Sequence, residues 1–218
     1  MYPTFSKSFV LRQYPALTDS GKKKAVRGIK ILSGNRFDFI LVRKFGKRFF
    51  EMITLYPCNR TVQDAKLVFS WRNDPATVAA AYLPLPKTWD AFLMEYEECY
   101  FGLPDFPPFF ILKNGLPAGF MRFDSVRQDD LDGRTVLEIM INVAPEHRRK
   151  GTGFAAVQAA KTLTESKGVA ALIADIRKEN TASRRLFEKS GFTILHERTE
   201  FIEKINEKSR ILCYRYML

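Results

Sequence analysis

The stretch Val136-Leu137-Glu138-Ile139-Met140-Ile141-Asn142-Val143, followed by Pro145-Glu146-His147-Arg148-Arg149-Lys150-Gly151-Thr152-Gly153, decides the fold. Its first half is apolar and β-branched, which reads as a strand, and Pro145 stops it because proline has no N–H to give a ladder. Its second half places two glycines and three cations just before Phe154-Ala155-Ala156-Val157, a small-residue run that reads as a helix. Strand, glycine turn and helix in that order make an anion site. The helix start leaves main-chain N–H groups without partners, and a residue lacking Cβ lets backbone approach a ligand closely. Arg148, Arg149 and Lys150 bring positive charge to the same spot, which suits a pyrophosphate.

Working outward, the helix is expected from about Thr152 to Lys167, closed by Gly168 just past its end. Ala170 to Ile176 reads as the next strand. Asn180 or Thr181 opens a short helix that runs through Ser190 and ends at Gly191, and Phe192 to Glu203 and Ile211 to Met217 read as strands. Upstream, Phe109 to Lys113 and Ala118 to Phe123 flank Asn114-Gly115, the dipeptide that best fits a two-residue hairpin turn. Thr61 with Asp64 three residues later looks like a capped helix start, with the helix running through Trp71 and ended by Pro75. A second helix is predicted from about Thr88 to Tyr100, where Trp89, Phe92, Leu93 and Tyr96 share one face. Asp38 to Arg43 and Arg48 to Tyr56 read as strands around Lys44-Phe45-Gly46-Lys47, and residues 1 to about 36 show no legible pattern. Hairpins that precede βα units predict an α/β (α+β) fold with a mixed central sheet.

The chain has 218 residues, enough for one catalytic domain with a self-sufficient core, and a formal net charge of +11. That charge is lopsided. Residues 1–50 hold 12 Lys and Arg against 2 Asp and Glu, while the remainder is nearly balanced at 23 against 22. The division expected is a basic N-terminal extension, 1–50, carrying the start of a hairpin, and a catalytic domain, 51–218. The arm, with Lys22-Lys23-Lys24-Ala25-Val26-Arg27, is either a solvated segment or a contact for an acidic partner. Three cysteines, Cys58, Cys99 and Cys213, form no close pair, so neither a disulfide framework nor a thiolate metal site is expected. A reducing cytoplasm fits that usage, and no stretch reads as a signal sequence or a membrane span. The two histidines, His147 and His196, have no neighbouring ligand at metal-binding spacing, so no metal is expected.

Gly151-Thr152-Gly153-Phe154-Ala155-Ala156 also fits the dinucleotide fingerprint G-x-G-x-x-A. That fingerprint needs its first glycine almost directly after the strand, whereas Ala144 to Lys150 intervene here. The phrase Arg148-Arg149-Lys150-Gly151-Thr152-Gly153 instead resembles the [QR]-x-x-G-x-[GA] motif of the GNAT N-acetyltransferase superfamily. A second phrase, Asn180-Thr181-Ala182-Ser183-Arg184-Arg185-Leu186-Phe187-Glu188-Lys189-Ser190-Gly191-Phe192, resembles the family's other cofactor segment at the family's spacing. The resemblance covers about residues 51 to 218.

The resemblance implies the GNAT fold and acetyl-CoA lying in a V-shaped opening between Ile139 to Val143 and Ala170 to Asp175. Ile141 and Val143 would pair with the pantetheine arm, which poses as an extra strand where main-chain groups lack partners. By the same analogy the N–H near Ile141 polarises the thioester carbonyl, Asn180 bonds the pantetheine region, and Ser183 helps position the cofactor. With the turn residues Arg148, Arg149, Lys150, Gly151, Thr152 and Gly153, they form the expected cofactor set. Phe187 belongs to it too, but stands where many relatives use a tyrosine to protonate the departing thiolate, so that role passes to no residue here. Tyr96, Tyr100 and Tyr214 are other hydroxyls, and the thiolate could also leave unaided.

The family's direct attack of an amine on the thioester needs a group that takes a proton from an ammonium. Glu138, which interrupts an apolar strand, is the first candidate, with Glu95, Glu97 and Glu98 as rivals and a structural role as the plain alternative. Trp71-Arg72-Asn73-Asp74-Pro75, Met121-Arg122-Phe123-Asp124 and the Phe187 variant resemble acetyltransferases of nucleotide-linked amino sugars in pseudaminic- and legionaminic-acid pathways. Arg72, Arg122 and Tyr96 are then the candidate substrate-binding residues, although the aromatic face of that helix suits a core equally well. Acetyltransferases of ribosomal-protein N-termini share the style of the first helix, with the basic arm docking on RNA. A non-catalytic acetyl-CoA-binding module is the third reading. The acceptor expected is a small-molecule amine, and the resemblance implies a homodimer as one arrangement, since the final strands often pair between subunits in this family.

Overall fold

The computed structural model describes residues 29–34, 37–42 and 52–218. Among these residues nine strands form one sheet in the order β1-β2-β3-β4-β5-β6-β7-β9-β8. They are β1 (Ile29–Gly34), β2 (Phe37–Val42), β3 (Ile53–Pro57), β4 (Phe109–Lys113), β5 (Leu116–Val126), β6 (Val136–Val143), β7 (Ala171–Arg177), β8 (Thr193–Ile202) and β9 (Glu207–Met217). Among the described residues five α-helices cover it: α1 (Val62–Arg72), α2 (Pro75–Ala80), α3 (Trp89–Cys99), α4 (Thr152–Ser166) and α5 (Thr181–Lys189). All pairings are antiparallel except β6 with β7, so the sheet is mixed, as the strand pattern predicts.

The local signals account for most boundaries. Thr61 caps α1 by accepting from the Asp64 N–H, and Thr88 caps α3 through the Ala91 N–H. Asn114 (φ 54) and Gly115 (φ 83) supply the two positive φ angles that a tight hairpin between β4 and β5 requires. Pro75 does not simply end α1. It opens α2, with Asp74 as N-cap accepting from the Thr77 N–H, because proline is preorganised for the first helical position. β1 lies in the segment where the sequence shows no strand. β2 pairs with β3, so the sheet continues N-terminal of residue 51, while the turn expected at Lys44 to Lys47 and the strand start at Arg48 lie outside the described residues.

Alternation along β5 and β6 sends side chains to two separate cores. Met121, Phe123, Leu137 and Ile139 pack with Leu172 and Ala174 against Ala156, Val157, Ala160 and Leu163 of α4. Phe110, Leu112 and Phe120 face the other way, against Ala65, Val68 and Trp71 of α1 and Phe92 and Tyr96 of α3. Each large side chain so buried contributes about 1.5–3 kcal/mol. The small residues of α4, with Ala156, Ala159 and Ala160 wholly buried, let that helix lie close on the sheet. Among the described residues no helix is long and apolar enough to cross a membrane.

Candidate active site

The sheet opens between its two parallel strands. β6 and β7 pair at Val136 with Ala171, Leu137 with Leu172 and Glu138 with Ile173, and no further. On their outer sides the pairing continues to the strand ends, β6 with β5 as far as Val143 and β7 with β9 as far as Arg177. Ile139–Val143 and Ala174–Arg177 therefore form two arms of an open gap. The Ala144 N–H donates to the Ala118 carbonyl of β5. Because main-chain groups alternate sides along a strand, those of Val143 and Ile141 face the gap, away from β5.

At the tip of the β6 arm the chain makes the glycine turn. Arg149 (φ 58) and Gly151 (φ 81) both take left-handed conformations, and α4 begins with Gly151 as an N-cap that offers no side-chain acceptor. The N–H groups of Thr152 and Gly153 lie in the first turn, where no intrahelical acceptor exists, and the helix dipole adds partial positive charge. The Thr152 hydroxyl is buried without a hydrogen-bond partner. Arg149 and Lys150 are exposed and form no ion pair among the described residues. A pyrophosphate fits this donor set, and an arm carrying amides fits the gap beside it.

The two glycines do different work. A Cβ on Gly151 would meet nothing within 4 Å, so the turn needs its positive φ and its openness. A Cβ on Gly153 would lie 3.2 Å from Leu186 Cδ2 and 3.4 Å from Val143 Cγ2. That position is filled by protein, so the missing Cβ of Gly153 serves the packing of α4 on α5 and β6, while its main-chain N–H stays in the first turn of the helix.

Arg148 is also engaged within the chain. Its Nη2 lies 2.7 Å from Asp74 Oδ2 and donates to Thr77 Oγ1 at 2.7 Å, and its Nε donates to the Val143 carbonyl at 3.1 Å. Burial disfavours charge on Asp74, but hydrogen bonds from Arg148 and the Thr77 N–H outweigh it and hold the carboxyl below its usual range. Asn180 caps α5 by accepting from the Ser183 N–H at 3.0 Å, and its amide donates to the Ala80 carbonyl at 3.0 Å. Phe187 is buried, its ring edge-on to Phe192 with centroids 4.9 Å apart.

On the face away from α4, the partners Asp124 with Glu138 and Arg122 with Met140 stand side by side. The Glu138 carboxyl is pushed up to about 7, first by burial and then by the charges of Asp175 and Asp124, with Arg122 and Arg198 opposing. It sits where β6 and β7 part, and at neutral pH it can both take and release a proton. Glu95 is tied to Lys87, and Glu97 and Glu98 are exposed on α3. Arg122 donates from Nη2 to Asp124 at 2.6 Å and lies over the Tyr100 ring at 4.4 Å, with its Nε buried and unpartnered. Arg72 Nη1 is likewise buried without a partner. Burial and the Glu95 charge push the Tyr100 phenol up to about 12.

Tyr96 does not reach this face. It is fully buried in the second core with its hydroxyl donating to the Asn59 carbonyl at 2.8 Å, so the substrate role expected for it is corrected to a core role. Tyr214 points to the α5 side, where its hydroxyl donates to Glu188 at 2.7 Å. Asp74, Asn142 and Asp175 were not foreseen. Asn142 donates to the Trp71 carbonyl at 3.3 Å, tying α1 to β6, and Asp175 pairs with Arg198 of β8. Both interrupt apolar strands as Glu138 does, and that was the available signal.

The model of the acetyltransferase (GNAT) domain matches residues 53–193. No curated protein matches the sequence. Among solved structures the fold resembles an N-acetyltransferase from Staphylococcus aureus Mu50, at 23% identity and TM-score 0.61, covering 76% of this chain and 98% of that one. It also resembles a ribosomal-protein-alanine N-acetyltransferase from Brucella melitensis, at 18% identity and TM-score 0.61, covering 75% and 99%. An aminoglycoside acetyltransferase, AAC(6')-Ib, in complex with coenzyme A aligns at 19% identity and TM-score 0.59, covering 76% and 94%. Identities this low carry the fold.

Proposed function

The chain belongs to the GNAT acetyltransferase family, and from that premise we propose that it acetylates the primary amine of a small molecule, an amino-sugar nucleotide best of all. It is an N-acetyltransferase that uses acetyl-CoA. The observation that carries the proposal is the break in β6–β7 pairing directly after Glu138, next to a helix start with uncapped N–H groups.

Bound acetyl-CoA supplies a thioester whose carbonyl carbon an uncharged amine attacks, with a thiolate leaving. The chain's own part is to align, to move a proton and to meet charge. Thr152, Gly153 and the cations Arg149 and Lys150 hold the phosphates. The Ile141 N–H faces the gap, where a developing oxyanion needs a donor. An alkylammonium has a pKa near 10, so the attacking form is scarce at neutral pH, and Glu138 with a pKa of about 7 removes the proton. Arg72 and Arg122, each with a buried donor lacking a partner, receive the anionic part of the acceptor. Phe187 has no hydroxyl, Tyr96 is buried and Tyr214 serves Glu188, so none of the three protonates the thiolate.

A screen of CoA release from acetyl-CoA tests the proposal, with amino-sugar nucleotides, alanine-headed peptides, polyamines and aminoglycosides as acceptors. Turnover on amino-sugar nucleotides is expected. Turnover on peptides alone would move the reading to protein N-termini, and acetyl-CoA binding with no turnover on any amine would leave a non-catalytic module.

A further inference from the structure

Helix α2 has no buried residue, yet both its ends are tied down, and each tie reaches a different arm of the gap. At its N-terminal end Asp74 pairs with Arg148, just past the tip of β6, and Thr77 Oγ1 both accepts from Arg148 and bonds Asn142 Oδ1 of β6 at 3.3 Å. At its C-terminal end the Ala80 carbonyl accepts from Asn180 Nδ2 at 3.0 Å, and the Ala79 carbonyl accepts from Arg177 Nη1, at the tip of β7, at 3.5 Å. A helix held by side-chain bonds instead of burial owes its place to those bonds.

From this we infer that α2 is a crossbar over the mouth of the gap, and that Asp74 and Asn180 are positioning residues that set the separation of the two arms. The inference rests on the reading of the gap as the berth of the acetyl-CoA arm. Beyond Glu138 and Ile173 the splayed strands have no ladder to fix their distance, so the bar supplies a constraint there. The two end ties act in series: with one cut, the other no longer holds β6 to β7.

Series coupling makes the test specific. Asp74→Asn keeps an N-cap oxygen for Thr77 but removes the charge that holds Arg148, and Asn180→Asp keeps the cap of α5 but loses the donor to Ala80. Calorimetry is run with CoA and with 3′-phospho-ADP, which carries phosphates but no pantetheine arm. Each single variant is expected to weaken CoA about five- to tenfold, the scale of one hydrogen bond. Affinity for 3′-phospho-ADP should stay within about twofold, because the main-chain donors of Thr152 and Gly153 and the cations Arg149 and Lys150 are unchanged, and the double variant should lose little more than either single one. Additive losses would overturn the inference, since they would mean two independent local contacts. Equal losses for both ligands would overturn it as well, as the effect would then lie at the turn. If thermal melting shows either variant unfolded, Asp74→Ser and Asn180→Ser replace them, since each keeps a capping hydroxyl while losing the charge that holds Arg148 or the amide donor to Ala80, and the same non-additivity must appear. Wild-type protein that binds neither ligand would instead remove the reading beneath the inference.

Discussion

Replacing Glu138 with glutamine separates its chemical role from its structural one. The wild-type carboxyl titrates at about 7 against an ordinary 4.5, so folding resists its ionisation. A carboxyl whose folded pKa is raised keeps its proton longer in the native state than in the unfolded one. The native state is therefore progressively destabilised as pH rises from 4.5 to 7, and the full penalty stands above that window. Two and a half pKa units correspond to about 3 kcal/mol above pH 8 and to about 1 kcal/mol or less at pH 5, taken as upper figures because the side chain keeps some solvent. Glu138→Gln, neutral at every pH, should raise the melting temperature by roughly 5–10 °C at pH 8.5 and much less at pH 5. The same change should lower kcat by about 10²–10⁴-fold and abolish the limb of the rate profile that rises through pH 7. Melting curves at the two pH values and a pH series of CoA release read both effects. Activity within threefold of wild type with the same limb would refute the role of Glu138 as base. A lower melting temperature at pH 8.5 would refute the buried-charge argument.

Other positions give sharper local tests. Gly151→Asp should abolish CoA binding by calorimetry, because it forces a side chain onto φ 81 and sets a negative charge where phosphate belongs. Gly153→Ala should instead leave stability within about 1 kcal/mol by denaturant melts, because Leu186 must yield a few tenths of an ångström to the methyl while alanine gains over glycine within a helix. Gly119→Ala would put a Cβ 2.4 Å from the Asn142 carbonyl, so the β5–β6 ladder must shift, and about 2–3 kcal/mol of stability should go with it. Arg122→Lys loses the guanidinium that lies on Tyr100, and should raise the acceptor KM about tenfold while leaving acetyl-CoA affinity unchanged.

Much of this protein could be read from local signals because they act over a few residues. The caps Thr61 and Thr88, the Asn114-Gly115 turn and the glycine turn with its helix all depend on neighbours in sequence, and the structure has each of them. Pro75 is ambiguous in sequence because a proline ends one helix and starts the next with equal ease, and the Asp74 cap decides between them. The contacts of Arg148 with Asp74 and Thr77 are not legible in the sequence, because these partners lie more than seventy residues away, beyond the reach of any spacing rule. Tyr96 shows the limit of helical periodicity, which marks an apolar face without saying whether that face lines a pocket or a core. Glu138 was legible as a charge in an apolar strand. Its pKa was not, because Asp124, Asp175, Arg122 and Arg198 come to it from three other strands.

The most direct measurement is a crystal structure of the protein with acetyl-CoA. The pyrophosphate should lie within hydrogen-bonding distance of the main-chain N–H groups of Thr152 and Gly153, with the amides of the arm paired to Ile141 and the thioester within reach of Glu138. Phosphates seated away from the turn, or β6 and β7 zipped together beyond Glu138 and Ile173 with the arm outside, would contradict it.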